Sequence, residues 1–469
     1  MLTIAIVFFG YLLILFSVAL WTRQGTRSLS GFFLANKQLP AWVVAFSVNA
    51  TGESGWLLLG LTGMGYAVGM QALWVVLGEI VGISLAWTLL ARRIKRMADA
   101  SDSITVPDLL ASRFDDPKNI LRRISVLIIL VMVGAYVSAQ MVATGKAFSS
   151  FTTMDYSTAV VFGAVVIIAY TFIGGYKAVS YTDLVQGLLM LAGLIFVPAV
   201  AVSNLGGWDA MMSELADQDP SLLSPWGPQG EGIAGWVAIV SFVAIGLPFL
   251  GVPQLSVRFM SAESEVSLKT AGTISVFVLF IFTFGAVLTG MAGRALFPGL
   301  EDPETILPVL STELFPEIIT GLLMVTVLAA IMSTVDSLLL LASSAVVRDY
   351  LQKIHGSEKS DHDLARYGKY ATLVIGALGI AFALTEAPLI FWFVLFAWSG
   401  LGAAFGPVLL CSFFYKGITL HGAAAGMLGG FLTSVVWVLL FKSSTYGLYE
   451  AIPGFIVGLL LILFVSRLK

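Results

Sequence analysis

The sequence predicts an all-α integral membrane protein with about 13 transmembrane helices. Of its 469 residues, 58% are apolar and 11% are charged, and the mean hydropathy is +0.94. This composition is typical of membrane proteins rather than of soluble domains. Apolar runs long enough to cross about 30 Å of hydrocarbon recur from end to end. The predicted spans are about 3–21, 40–69, 71–91, 124–145, 157–175, 183–203, 234–256, 268–292, 317–347, 368–386, 388–414, 421–441 and 452–466.

The basic residues are distributed unevenly between the two sides of the predicted membrane. If the amino terminus lies outside, all of the 25 Lys and Arg residues except Lys146, Arg294 and Lys442 fall in loops on the inner side. Such a bias sets the orientation of membrane proteins. We therefore predict a multi-pass protein of the plasma (cytoplasmic) membrane, with its N-terminus outside and its C-terminus cytoplasmic. The first apolar run lacks the flanking features of a signal peptide and is predicted to be a retained span.

Several function classes are excluded by what the sequence lacks. Cys411 is the single cysteine, so no disulfide forms within one chain. The three histidines show no zinc-site spacing. No phosphate-binding Gly-x4-Gly-Lys-Ser/Thr motif occurs, which argues against an ATP-driven pump. No nucleophile and base are placed as an enzyme would need them. We expect no catalytic residues and no nucleic-acid partner, and the oligomeric state is left open.

A polar cluster interrupts the apolar segment 320–347. Ser333, Thr334 and Asp336 stand at its middle, and no Lys or Arg lies inside the segment. A charge at bilayer depth is costly, and it normally faces a bundle interior or water-filled cavity on an ion or substrate path. Ser333, Asp336 and Ser337 follow i, i+3, i+4 spacing and should share one helix face. Their oxygen atoms suit a hard cation.

Two other membrane segments contain residues that a straight helix does not favour. Segment 42–69 has Asn, Thr, Gly, Glu, Ser and Gly near its centre, and segment 236–253 has two Gly and two Pro residues. Glycine costs about 1 kcal/mol and proline about 3 kcal/mol in a helix interior, so both segments should unwind. They are the second and seventh spans, as expected of two inverted five-helix repeats with discontinuous first helices. Ordinary Pro/Gly kinks are the alternative.

Three short motifs carry a resemblance to a known family. They are Ser-Gly-Trp at 54–56, Asp-Leu-Val-Gln-Gly at 183–187 and Ala-Ile-Met-Ser-Thr at 330–334, and longer shared pieces lie at 171–183, 252–260, 397–410 and 449–455. With these, the chain resembles the sodium/solute symporter family and, within it, the sodium/proline symporters. The resemblance implies sodium-driven uptake by alternating access, with sodium ion as the coupling ion and a small-molecule substrate.

The resemblance also implies a layout for one polytopic transporter domain over residues 1–469. It predicts a ten-helix inverted-repeat (5+5) core with an extra N-terminal helix at 1–21 and two extra C-terminal helices at 421–469. The first repeat, with the first helix of the second, would cover about 40–256. The second repeat would cover about 234–414.

The family's main sodium site, carried over to this sequence, would use backbone carbonyls together with two hydroxyls. The carbonyls would be those of Ala50, Glu53 and Ala330, and the hydroxyls those of Ser333 and Thr334. A hard cation takes oxygen ligands, and a broken helix beside a Ser-Thr step supplies them. The alternative for the two hydroxyls is hydrogen bonding to the preceding turn of their own helix.

A second cation site would involve Asp183, Asp336 and Ser337. Asp183 matches an acidic residue associated with cation coupling in the family. Its alternative role is helix capping, because it follows a predicted inner loop. Asp336 stands where many relatives have a hydroxyl residue, some of which help to form a second sodium site. Whether its carboxylate would bind sodium or a proton is left open.

The substrate side is implied by the same resemblance. Freed N–H groups at half-helix ends attract a substrate carboxylate, and aromatic side chains pack a small apolar ring. The residues that match are Ser54, Gly55, Trp56, Tyr136, Phe249 and Pro253.

The sequence departs from the proline symporters at three positions. Gly52 replaces an Asp that matters for their sodium coupling, Ile245 replaces a Trp, and Phe249 replaces a Tyr. Such changes in a pocket alter selectivity. We hypothesise that the intramembrane acids Glu53, Glu79 and Asp336 redistribute the charge absent at Gly52.

The sequence therefore predicts a sodium-coupled symporter that imports a small amino acid, proline first. Another small zwitterion or a carboxylate is the alternative cargo. A transporter-like sensor without net transport is the alternative from a different class. Its partners would be sodium, the small-molecule substrate and membrane lipid.

Overall fold

The computed structural model describes residues 2–22, 28–384 and 390–468, and these residues are almost entirely helical, with no strand among them. Nine of the described helices are long and apolar enough to cross a membrane. The all-α membrane fold is thus confirmed, whereas the count of 13 spans stays a prediction. The helices are α1 Leu2–Thr22, α2 Leu29–Leu34, α3 Ala41–Gly55, α4 Thr62–Val68, α5 Leu73–Leu85, α6 Arg92–Ala100, α7 Val106–Phe114, α8 Ile120–Phe151, α9 Tyr156–Asn204, α10 Trp208–Gln218, α11 Ile233–Val243, α12 Pro253–Ser261, α13 Glu265–Leu296, α14 Ile306–Leu314, α15 Glu317–Ser344, α16 Asp361–Ala383, α17 Ile390–Phe414, α18 Leu420–Val436 and α19 Ala451–Val465.

The first predicted break lies at the end of α3. Ser54 takes φ 56° and ψ −169°, which no helix residue adopts, and a π-helical segment Trp56–Leu61 then leads into α4. A left-handed φ is unusual for a residue other than glycine. The prediction of a discontinuous helix at this position is confirmed.

The second predicted break separates α11 from α12. A tight 3₁₀ segment, Ala244–Leu250, follows α11, and Pro253 begins α12 at its first turn. Proline is accepted at that position because the first N–H groups of a helix have no partner within the helix. This discontinuous helix is also confirmed, and both breaks lie where glycine and proline weaken the helix.

Two predicted spans are joined differently from the prediction. The loop expected between spans 157–175 and 183–203 is absent, because the two helical parts of α9 meet directly at a kink at Gly175, where φ is 60°. Glycine reaches this φ without steric cost, so the chain turns there with no intervening loop. The end of the predicted span at 386 and the start of the one at 388 lie outside the described residues.

Small residues let the broken segments approach their neighbours closely. A Cβ atom on Gly246, at the second break, would overlap the backbone of Gly78 on α5. On the opposite side, Gly251 packs against the backbone of Gly402 and Gly406 on α17. Helices in membranes approach in this way at small residues. The second break therefore packs closely against both α5 and α17.

The glycines of α18 serve helix packing. Gly422 and Gly426 pack against Ile462 of α19, and Gly430 packs against the backbone of Ala403 on α17. These contacts attach the last two helices to the second half of the bundle.

A buried network of charges ties together three helices at the end of the bundle that carries most basic residues. Arg122 Nη1 lies 2.7 Å from Asp108 Oδ1 and 2.5 Å from Asp349 Oδ1. Arg348 Nε lies 2.8 Å from Asp108 Oδ2. The Asp108 carboxylate thus faces two guanidinium groups. They join α7 to α8 and to the π-helical segment Ala345–Ile354 that follows α15.

Candidate functional site

The first break faces the polar middle of α15. Ser333 Oγ donates to the Ala50 carbonyl oxygen at 2.9 Å and lies at the same distance from the Ala330 carbonyl oxygen. Thr334 Oγ1 lies 3.5 Å from the Ala50 carbonyl oxygen, 3.1 Å from that of Thr51 and 3.4 Å from that of Ala330. Five buried oxygen atoms therefore meet between α3 and α15. We call this set the α3–α15 oxygen cluster.

Four of the five predicted sodium ligands belong to this cluster. The fifth, the Glu53 carbonyl, instead accepts the N–H of Trp56 at the break. The Thr51 carbonyl, which the sequence argument did not select, takes part in the cluster. Hydrogen bonding to the preceding turn also occurs, since both hydroxyls lie within reach of the Ala330 carbonyl. The alternative of hydrogen bonding to the preceding turn is thus met by the geometry, and the role of the two hydroxyls as sodium ligands stays a prediction.

Asp183 lies beside this cluster and does not cap a helix. Its side chain is fully buried in the interior of α9, eight residues beyond the Gly175 bend. Asp183 Oδ2 accepts from Ser47 Oγ at 2.5 Å and lies 3.4 Å from Thr51 Oγ1. The capping alternative is therefore wrong, because no helix begins at this residue.

Arg258 is the main feature that sequence reasoning missed. It was assigned to an inner loop, but it lies on α12 with only 1% of its surface exposed. Its Nη2 atom lies 3.1 Å from Asp183 Oδ2 and 2.6 Å from Ser337 Oγ, and it also donates to Thr51 Oγ1. Its Nε atom donates to Ser47 Oγ at 2.9 Å. The only signal in the sequence was one arginine inside the family-like piece at 252–260.

On the predicted polar face of α15, several hydrogen bonds converge on Ser337. Ser337 Oγ donates to the Ser333 carbonyl oxygen at 2.8 Å and lies 3.2 Å from Asp336 Oδ1. Thr51 Oγ1 lies 3.1 Å from Ser337 Oγ and 3.2 Å from the Ser333 carbonyl oxygen. The α3–α15 oxygen cluster and the Asp183–Arg258 pair are thereby parts of one continuous polar region.

A small cavity lies on the other side of the first break. Its volume is about 10 Å³, roughly the room that one water molecule needs. Two of the predicted substrate residues, Trp56 and Tyr136, line it, and both are almost fully buried. The remaining lining residues are Gly52, Glu79, Ile245, Val394, Leu395 and Trp398.

Phe249 lies next to this cavity, with its ring packed edge-on against Trp398 at 5.2 Å between centroids. Trp398 donates from Nε1 to the Ile245 carbonyl oxygen at 3.2 Å, which fixes its indole ring against the second break. Sequence reasoning did not select Trp398, although it lies in the family-like piece at 397–410. Pro253 is buried at the start of α12.

The N–H groups freed at the first break are already used within the protein. The Gly55 N–H donates to Gln140 Oε1 at 3.0 Å, and the Trp56 N–H donates to Ser54 Oγ at 3.1 Å. Gln140 Nε2 lies 3.4 Å from Ser54 Oγ. Gln140, on α8, was not selected from the sequence, and it stabilises the broken backbone.

Known proteins that resemble this chain are secondary transporters. A sodium/proline symporter of Staphylococcus aureus is 36% identical over 98% of this chain and 91% of its own length. The counterpart from Staphylococcus aureus strain JH9 shows the same identity and coverage.

Solved structures show the same fold at low sequence identity. A Na⁺-coupled sialic acid symporter in a substrate-bound, outward-open state superposes with a TM-score of 0.82 at 18% identity, over 100% of this chain and 98% of that one. Mhp1, a nucleobase-cation-symport-1 family transporter in a closed conformation, superposes with a TM-score of 0.56 at 11% identity, over 93% of this chain and 95% of that one.

The sequence profile of the sodium:solute symporter family matches residues 32–430. The chain is therefore an integral, multi-pass membrane protein with sodium and a small molecule as partners, and it belongs to the sodium:solute symporter family.

Proposed function

We propose that this protein imports proline, or a small amino acid close to it, together with sodium by alternating access. The observation that carries the proposal is the α3–α15 oxygen cluster, a set of five buried oxygen atoms that a broken helix and α15 contribute together. Hard cations such as sodium are bound by oxygen ligands. The 36% identity to sodium/proline symporters over 98% of the chain supports proline as the cargo.

Sodium would be held by carbonyl oxygens of Ala50, Glu53 and Ala330 and by the hydroxyls of Ser333 and Thr334. The position of the Thr51 carbonyl, 3.1 Å from Thr334 Oγ1, supports its addition to this set. A bound cation would replace hydroxyl–carbonyl hydrogen bonds by ion–oxygen contacts. It would thereby favour the conformation in which α3 and α15 lie together, which is how an ion shifts a conformational equilibrium.

A second cation would be held near Asp183, Asp336 and Ser337. Two carboxylates and one guanidinium, that of Arg258, are buried in this region. A bound cation would add positive charge beside the two carboxylates, and a buried charge is tolerated when it is compensated. Sodium and a proton both satisfy this requirement.

The substrate would occupy an enlarged form of the cavity beside the first break. Trp56 and Tyr136 line that cavity. Ser54 and Gly55 belong to the first break, and Phe249 and Pro253 belong to the second. At about 10 Å³ the cavity is far smaller than an amino acid. Entry of substrate therefore requires its walls to separate, as alternating access provides.

The orientation proposed from the basic residues places the N-terminus outside and the C-terminus in the cytoplasm. The cluster on α6 supports it, because Arg92, Arg93, Lys95 and Arg96 all lie at one end of the bundle. Inner loops of membrane proteins carry such an excess of positive charge.

Uptake into proteoliposomes tests the function. We expect labelled proline to accumulate above its outer concentration when sodium is imposed outside, and not when choline replaces sodium. Alanine, glycine betaine and lactate form the comparison panel. Accumulation of a different solute from the panel would show that the cargo is another small zwitterion or a carboxylate. Saturable binding of proline without accumulation would identify a sensor rather than a transporter.

A further inference from the structure

Glu79 is the one acidic residue among those that line the cavity beside the first break. The other lining residues are three aromatic side chains, three aliphatic ones and Gly52. Only 3% of the Glu79 surface is exposed, and within the described part of the chain its Oε2 atom has no hydrogen-bond partner. A buried carboxylate without partners is costly unless a ligand or a proton satisfies it.

A second carboxyl group lies close by. Glu53, at the end of α3, is 1% exposed, and its Oε2 atom also lacks a partner among the described residues. The charges of Glu53 and Glu79 are near enough to interact. Among the described residues, no Lys, Arg or His forms an ion pair with either of them. Within the described part of the chain the pair therefore has no basic partner, and a bound ammonium group would supply one.

The backbone holds Glu79 rigidly in place. Gly78 and Gly82, on either side of it in α5, pack against backbone atoms of Val243 and Gly246 at the second break. A Cβ on Gly246 would lie 3.0 Å from the Glu79 backbone nitrogen. The carboxyl group is thus presented from a tightly packed helix, at the wall formed by the broken segment.

The aromatic walls suit the same kind of ligand as the carboxylate. Trp56, Tyr136 and Trp398 line the cavity, and their ring faces attract cations. Cation–π attraction is strongest at desolvated sites such as this one. A carboxylate beside aromatic rings recognises an ammonium group by charge and by hydrogen bonding, and the rings add cation–π attraction.

We propose that Glu79 binds the ammonium group of the substrate and so selects amine-bearing zwitterions over amine-free carboxylates. This inference rests on the proposed function, since it assigns a role within the same substrate cavity. Glu79 is then a specificity-determining residue, and carboxylate cargo without an amine is disfavoured.

The test compares proline with tetrahydrofuran-2-carboxylate, which has an oxygen atom where proline has its ring nitrogen. Both compounds compete against uptake of labelled proline into proteoliposomes with sodium imposed outside. We expect Glu79→Gln to weaken apparent proline affinity about 10- to 100-fold, the loss expected from a missing charged hydrogen bond. Affinity for the oxygen analogue should change less than threefold, so discrimination between the two collapses. Retention of the wild-type discrimination by Glu79→Gln would overturn the inference.

Two further variants separate charge from folding. Glu79→Asp keeps the charge and should retain discrimination at reduced affinity; loss of discrimination equal to that of Glu79→Gln would contradict a role for the charge. Glu231→Gln, the same substitution at an exposed site, should behave as wild type.

The wild-type measurement reports separately on the proposed function. If the wild type takes up another amino acid instead, the same ratio is measured with that amino acid and its hydroxy-acid counterpart, for example alanine and lactate. A wild type that prefers the amine-free compounds would overturn both the proposed cargo and the role of Glu79.

Discussion

The guanidinium of Arg258 lies 3.1 Å from the carboxylate of Asp183, and the two side chains are 1% and 0% exposed. They belong to α12 and α9, so the pair attaches the second half of a broken helix to the longest helix of the described chain. Arg258 also donates to the hydroxyl and carbonyl of Ser47 on α3. Both discontinuous helices are therefore connected through one buried arginine.

Removing one member of this pair should destabilise the protein strongly. We expect Arg258→Met to lower stability by about 3–5 kcal/mol, because the Asp183 charge loses its buried partner. The double variant Arg258→Met/Asp183→Asn should recover part of that loss. Thermal unfolding in detergent, compared across both single variants and the double variant, measures the coupling. Additive losses would mean that the two side chains do not stabilise each other.

The broken helices and the polar face of α15 could be predicted from the sequence because their causes are local. Glycine and proline weaken a helix wherever they stand, and the face of Ser333 and Ser337 follows from helical spacing alone. Arg258 could not be placed in this way. Its partners Asp183 and Ser337 are 75 and 79 residues away along the chain, and only the folded packing brings them together.

The loop that was predicted but is absent, and the position of Glu79, could not be read from the sequence for a similar reason. An apolar stretch that contains glycines is compatible with a loop or with a kink, and the chain takes the kink, with a positive φ at Gly175. Glu79 was recognised as an intramembrane acid, but no local pattern showed that it lines the same cavity as Gly52 and Trp56. That contact depends on how α5 packs on the two breaks.

Loss of one hydroxyl from the α3–α15 oxygen cluster should weaken sodium binding. We expect Thr334→Val to raise the sodium concentration for half-maximal uptake about 10- to 100-fold, as loss of one contact to an ion predicts. Thr326→Val is the matched control. Thr326 lies on the same helix, and its one hydrogen bond among the described residues runs back to the Leu322 carbonyl oxygen at 2.8 Å. Equal sodium dependence in the two variants would show that the Thr334 hydroxyl does not bind sodium.

The Asp108 network should make stability depend on acidity. Burial opposes ionisation of Asp108, but the guanidinium groups of Arg348 and Arg122 outweigh it and hold the pKa of this carboxyl below its ordinary value of 3.8. A lowered pKa in the folded state contributes stability above the ordinary value, and that contribution is lost as pH falls through the folded value. The loss should therefore begin below about pH 4.

Melting temperatures of the wild type and Asp108→Asn between pH 7 and pH 3 measure this contribution. Asp108→Asn should melt at a lower temperature at pH 7, and the difference should narrow below about pH 4. Asp115→Asn, an exposed change at the end of the same helix, is the control for the substitution itself. A constant difference across the whole pH range would show that ionisation of Asp108 does not stabilise the fold.

The close approach at the second break should not tolerate a methyl group. Gly246→Ala would force a Cβ atom into the backbone of Gly78, where no side chain can rotate away. We expect a loss of about 1–3 kcal/mol or more, since overpacking of a rigid contact displaces backbone. Gly134→Ala is the control, because a Cβ there meets no atom within 4 Å. Comparison of melting temperature and proline uptake for both variants tests the claim, and a Gly246→Ala protein as stable and active as Gly134→Ala would show that α5 and the second break need not lie in backbone contact.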